Sequence, residues 1–132
     1  EDTTSVLTGF TITGGTGTLY IVPGVETDRI AGGIGLENSG AKITYNRIVG
    51  NSAIMNTVGT DARVAAGGGI GAVSVDLKNL IIENNIIDSN FVSSISRSFG
   101  GGIAIIENAS GVYFCKLSSA NSSRIIKMIL IR

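Results

Sequence analysis

The chain has 132 residues, with ten basic and ten acidic side chains for a net charge of zero, and 43% of its residues are hydrophobic. That length holds one domain or a piece of one, and the neutral balance argues against a general binder of nucleic acid or of anionic membrane. There is no histidine, one cysteine (Cys115) and no apolar run near the roughly 18 residues of a membrane span. This removes the commonest general base and metal ligand, an intrachain disulfide and a spanning helix.

Nineteen glycines against one proline, and only 5% aromatic residues without tryptophan, describe an aliphatic core in a chain that turns often. Short runs of Val, Ile and Thr favour strands over helices. The chain opens Glu1-Asp2 with neither a methionine nor a signal-like segment, as expected of a processed product or an excised fragment. In chain order, strands are predicted near 6–13, 34–38, 42–49, 70–75, 80–87, 103–107 and 112–117, with 16–31, 54–66 and 92–99 as surface loops. After Glu107 the only charges are Lys116, Arg124, Lys127 and Arg132, so residues 122–132 read as a basic, apolar C-terminal edge segment. Its β-branched Ile125, Ile126, Ile129 and Ile131 favour a strand covering the edge formed by Val112–Leu117.

Internal repetition is the main signal. A glycine run ending in isoleucine occurs three times: Gly32-Gly33-Ile34, Gly67-Gly68-Gly69-Ile70 and Gly100-Gly101-Gly102-Ile103. A second pattern follows each of the first two. It reads Ile43, Asn46, Ile48, Asn51 in one copy and Ile82, Asn85, Ile87, Asn90 in the next, with offsets of three, two and three in both. Leu7, Phe10, Ile12 and Gly15 hold the same offsets ahead of the first run, and Val112, Cys115, Leu117 and Ala120 after the third. Setting aside 54–66 and 92–99 as insertions leaves units of about 22–25 residues, room for three short strands and three turns.

A unit that small cannot bury its own apolar side chains. Stacked at a strand spacing of about 4.8 Å, it hydrogen-bonds to its neighbours and joins a continuous core. Ile34, Ile70 and Ile103 then form one column, and Ile12, Ile48, Ile87 and Leu117 another. Asn46 and Asn85 stack as turn residues whose amides bond along the axis, with Phe10 and Cys115 ending that ladder. Gly35, Gly71 and Ala104 alternate with the inward isoleucines and form a nearly bare outward stripe. The implied fold is all-β: a right-handed parallel β-helix of about four coils with loop insertions, spanning 1–132 as one domain or fragment.

The glycine run, the Ile43–Asn51 segment and the opening Leu7-Thr-Gly-Phe-Thr-Ile-Thr-Gly-Gly15 resemble the right-handed parallel β-helix repeat proteins of bacterial secreted and surface proteins. The resemblance covers roughly residues 5–121. It implies a pectin-lyase-like scaffold, an extracellular or cell-surface location and an extended polysaccharide as partner. The wider superfamily includes polysaccharide lyases, glycoside hydrolases, tailspikes and adhesins, so the scaffold does not settle function. In this sequence Gly35, Gly71 and Ala104 stand where a tyrosine often follows Gly-Gly-Ile.

No catalytic constellation accompanies the repeat. There is no adjacent aspartate pair, Arg124-Ile-Ile-Lys127 lacks the spacing of the family's Arg-x-Lys element, and the glycine runs lack the Lys-Ser/Thr of a phosphate loop. The one acidic candidate is Glu37, Asp76 and Glu107, which fall at similar places in successive repeats. Aligned, neighbours would stand about 5 Å apart, within reach of a cation or of glycosidase-type carboxylate pairing. The expected function is a non-catalytic structural or binding module contacting polysaccharide, without cofactor, resident metal or nucleic-acid partner, with uncapped ends able to self-associate end to end. The alternative is a fragment of a lyase or hydrolase whose catalytic residues lie outside this chain.

Overall fold

A computed structural model describes residues 5–21, 27–38, 40–56, 64–73, 80–106, 112–119 and 122–129. Among these the chain is all-β, with no helix. It makes three successive passes. The first lays down β1 (Val6–Thr8), β2 (Thr11–Ile12), β3 (Thr18–Ile21), β4 (Thr27–Ile30) and β5 (Ile34–Glu37). The second holds β6 (Lys42–Thr44), β7 (Arg47–Val49), β8 (Ser52–Met55), β9 (Val64–Ala66) and β10 (Ile70–Val73). The third holds β11 (Ile81–Glu83), β12 (Ile86–Asp88), β13 (Phe91–Ser94), β14 (Arg97–Phe99) and β15 (Ile103–Ile106).

Each strand bonds to its counterpart one pass away, giving parallel sheets β1-β6-β11, β2-β7-β12, β8-β13, β4-β9-β14 and β5-β10-β15. Strand β3 adds to the β4 edge antiparallel. The registers align Leu7–Ile43–Ile82, Ile12–Ile48–Ile87 and Ile34–Ile70–Ile103. These columns meet in a core around Leu36, Ala41, Ile43, Ile48, Ile70 and Ala72. In the middle pass Ile48 and Ile70 are wholly buried, whereas Ile12 and Ile87, on the passes either side of Ile48, are only half-buried.

Corners between strands need a residue in the left-handed region, one per pass. Between the first two sheets these are Gly9, Tyr45 and Asn84; at the next corner Gly14, Gly50 and Ser89; before the glycine runs Ala31, Gly67 and Gly100. The residue after each of the first two corners closes the turn. Asn46 Nδ2 donates to Leu7 O at 2.9 Å, to Thr44 O at 3.0 Å and to Asn85 Oδ1 at 3.1 Å. Its Oδ1 accepts from Phe10 N at 3.0 Å, and its own N–H donates to Asn85 Oδ1 at 2.9 Å. Asn51 repeats the arrangement with Ile12 O, Asn90 Oδ1 and Gly15 N. The expected pairing of Asn46 with Asn85 is present, and Asn51 with Asn90 forms a second ladder. Phe10 ends the first one as expected, its backbone N–H taking the place of a side-chain amide.

Three expectations need correction. First, the supposed insertions are strands: β3 and β4 lie in 16–31, β8 and β9 touch 54–66, and β13 and β14 lie in or beside 92–99. The repeat is therefore the whole pass, 36 residues from Phe10 to Asn46 and 39 from Asn46 to Asn85, not a unit of 22–25. Val64, Phe91 and Val92 favour strands locally while Ala65, Ala66, Ser93 and Ser94 add little, and pairing with the adjacent pass completes both strands. Second, Val112–Ser119 (β16) is not a fourth parallel copy. It pairs antiparallel with Ser122–Ile129 (β17), setting Cys115 opposite Ile126 and Leu117 opposite Arg124. The tail does form the strand that covers the 112–117 edge, and parallel stacking is three deep among the described residues.

Third, the glycine stripe is not bare. Gly35, Gly71 and Ala104 do align, and Gly35 is exposed. Gly71 and Ala104 are buried, beside a second apolar cluster of Ile30, Ala31 and Val73 with Tyr20 and Ile106 packed on it. A Cβ on Gly71 would stand 2.6 Å from Ile30 Cγ2 and 2.7 Å from Ala31 N. The small side chains let the chain before the glycine runs fold back onto the outer face of β10.

Replacing Ile48 with Asp places an uncompensated charge in a wholly buried column and is expected to unfold the stack; a variant melting within two degrees of the parent would contradict the core assignment. Asn46→Ala is expected to cost about 1–3 kcal/mol for each buried group it orphans, measured by urea denaturation against Asn56→Ala, an exposed control. Asn84 is unsuitable as that control because its φ of 54° makes alanine strained there.

At the corner column, Gly67→Ala is expected to lose about 2–4 kcal/mol, since its Cβ would strike Ile70 O and Gly71 Cα at positive φ. Ala31→Gly should be nearly neutral, because about 1 kcal/mol of relieved left-handed strain offsets one buried methyl at about 0.8 kcal/mol. Equal losses at the two positions in thermal denaturation would disprove the distinction.

Candidate functional site

Of the sequence-derived acidic candidates, Glu37 is exposed at the end of β5. Its register partner is Val73, which is paired in turn with Ile106, so the strand positions in line with Glu37 are apolar. Asp76 and Glu107 lie outside the described residues. Among the described residues no group of three or more His, Cys, Asp or Glu side chains is placed to hold a metal ion.

An apolar cleft of about 300 Å³ opens at the first-pass end, walled by Val6, Leu7, Ile34, Leu36 and Ile43. It offers aliphatic surface and, in Ser5, one hydroxyl residue. That is a gap in core packing, with no group suited to acid–base or nucleophilic chemistry.

The polar chemistry gathers instead on the outer face of β1-β6-β11 and β2-β7-β12. Strand alternation turns Leu7, Ile43 and Ile82 inward and leaves Lys42 and Glu83 outward. Register sets Lys42 beside Ile81 and Thr44 beside Glu83, two positions on. The Lys42 ammonium reaches diagonally to the Glu83 carboxylate, with Nζ 2.7 Å from Oε1. The Glu83 hydrogen bond and charge hold Lys42 above its ordinary pKa, with desolvation acting against them. Raised in the folded state, that pKa makes the pair's contribution complete below the ordinary lysine value and lost as pH rises through the folded one. With both side chains substantially exposed the contribution to stability is small.

Around the corner from this pair stands Tyr45, 68% exposed at a φ of 54°. Arg47 follows on β7, exposed, with Thr11 and Ile86 as its register partners. Asp88, also exposed, lies further along the neighbouring β12. The face therefore carries an aromatic ring, two cations and two carboxylates. Tyr45 had a signal in the sequence: aligned copies read Leu7-Thr-Gly9, Ile43-Thr-Tyr45 and Ile82-Glu-Asn84, an aromatic where turn-forming residues belong. The offsets alone did not reveal that this position takes the left-handed conformation.

Comparison of the chain with protein-family models, curated proteins and solved structures returns no match.

Proposed function

We propose that the stacked passes are a short right-handed parallel β-helix, and that it serves as a non-catalytic structural or binding module of a secreted or surface protein, with an extended polysaccharide as partner. The observation supporting this reading is the unbroken register across passes. Outward positions such as Val6, Lys42 and Ile81, or Thr11, Arg47 and Ile86, recur in line along the stack. Steps of about 4.8 Å between them suit a polymer that presents its own repeating groups along one direction. Paired asparagine ladders hold the face rigid, so little ordering entropy is lost when it binds.

Reaction chemistry finds little support on this face. Its carboxylates Glu83 and Asp88 belong to one pass, and Glu83 is committed to Lys42. Incubated with pectin, alginate and cellulose, the protein is expected to co-sediment with at least one insoluble form and to release neither reducing ends nor unsaturated products. Turnover that disappears on replacing Glu37, Asp76 or Glu107 would instead overturn the non-catalytic reading and make these carboxylates an active site.

A further inference from the structure

We propose that Tyr45 is the platform on which a neutral pyranose ring stacks, with the Lys42–Glu83 pair bonding the ring hydroxyls beside it; this deepens the polysaccharide reading and rests on it. One corner of the fold holds a conflict. Three residues hold that corner, one per pass, and all have positive φ: Gly9 at 79°, Tyr45 at 54° and Asn84 at 54°. Glycine and asparagine adopt this conformation readily, whereas a bulky aromatic residue does so only against its preference.

The tyrosine gains little packing in return, because it is 68% exposed. The neighbouring corner is filled by small residues, Gly14, Gly50 and Ser89. A costly residue that buries almost nothing is therefore not explained by the fold. A rigid, amphipathic ring presented to solvent is explained by contact with a ligand.

The surroundings define the ligand's chemistry. One face of a pyranose is a patch of C–H groups, suited to an aromatic ring, while its rim carries hydroxyls that both donate and accept. Lys42 supplies donors and Glu83 acceptors, held together at 2.7 Å on β6 and β11, the two strands that run into the corner column of Tyr45 and Asn84. The face is balanced in charge, Lys42 and Arg47 against Glu83 and Asp88. A polyanion such as a nucleic acid or a uronate polymer depends on excess positive charge, so a neutral glycan is the better complement.

The test uses the full chain with cellohexaose as neutral probe and a galacturonate hexamer as charged probe. Binding is followed by calorimetry and by tyrosine fluorescence, which no tryptophan obscures in a protein with three tyrosines. The wild type is expected to bind cellohexaose, and Tyr45→Asn to weaken that binding at least tenfold while melting no lower than the parent. Asparagine is the residue the third pass already uses at this corner, so loss of affinity with retained or raised stability separates a binding role from a structural one. Tyr45→Phe, which keeps the ring, should bind within about threefold of wild type.

If the wild type binds and Tyr45→Asn binds equally well, the Tyr45 site is wrong while the polysaccharide reading stands. A lowered melting temperature for Tyr45→Asn would show the tyrosine to be structural and overturn the site. Loss of binding in Tyr45→Phe would exclude stacking as its basis, and tighter binding of the galacturonate would overturn the neutral class. No binding of either probe by the wild type would overturn the Tyr45 site, and failure to retain any insoluble polysaccharide as well would remove the polysaccharide reading.

Discussion

Each pass of this chain is too thin to bury anything by itself, so the structure depends on hydrogen bonds made between passes. Backbone N–H groups of the second pass reach carbonyls of the first, as Lys42 N does to Ser5 O and Arg47 N to Phe10 O, and the third pass repeats this through Ile81 and Ile86. Strands supply those bonds along their length. At the corners the backbone turns and the ladder would break, leaving polar groups at the edge of an aliphatic core. Asn46, Asn51, Asn85 and Asn90 carry the bonding across the gaps, joining turn to turn and pass to pass. The asparagines and the isoleucines they separate are therefore one device, the amides closing the corners that let the aliphatic columns form.

Where the chain turns into the glycine runs, steric fit takes over. Stacked glycines bring backbones so close that a Cβ on Gly68 would meet Gly101 O at 2.5 Å and Phe91 O at 2.6 Å. Close approach on one side and the fold-back over Gly71 on the other produce two apolar clusters. Arg29 helps to hold the fold-back in place, donating through Nη1 to Gly17 O at 3.0 Å and Thr16 O at 3.2 Å. Asp28 accepts the Val64 N–H at 3.0 Å, so a carboxylate joins the first pass to the second at the start of β9, much as the amides do at other corners.

Against this background Tyr45 is the bulkiest of the described residues at which local preference and global fold disagree, with Ser89 at the next corner a smaller one. Ile48 and Asn46, its close neighbours, each satisfy both. Such disagreements are expected at functional or strained sites. Ala31 is a milder case, with positive φ where its counterparts are glycines, but there the methyl group is buried in the second cluster and the fold itself accounts for it.

The sequence by itself determined the all-β character, the columns Leu7–Ile43–Ile82, Ile12–Ile48–Ile87 and Ile34–Ile70–Ile103, and the pairing of Asn46 with Asn85. These were legible because each depends on one residue type returning at one offset, and aliphatic and amide side chains have few other uses at such spacing. Glu37 was visible as a charged residue, but its apolar register partners Val73 and Ile106 were not. Only the tertiary structure decided that Val64–Ala66 and Phe91–Ser94 are strands, that Gly71 is covered, that 112–129 turns back on itself as an antiparallel pair, and that Tyr45 occupies a left-handed corner. Those features depend on contacts between segments distant in sequence more than on local preference. Alanine and serine have little intrinsic strand preference, a glycine does not announce what will lie over it, and a corner's handedness is imposed by the strands it joins.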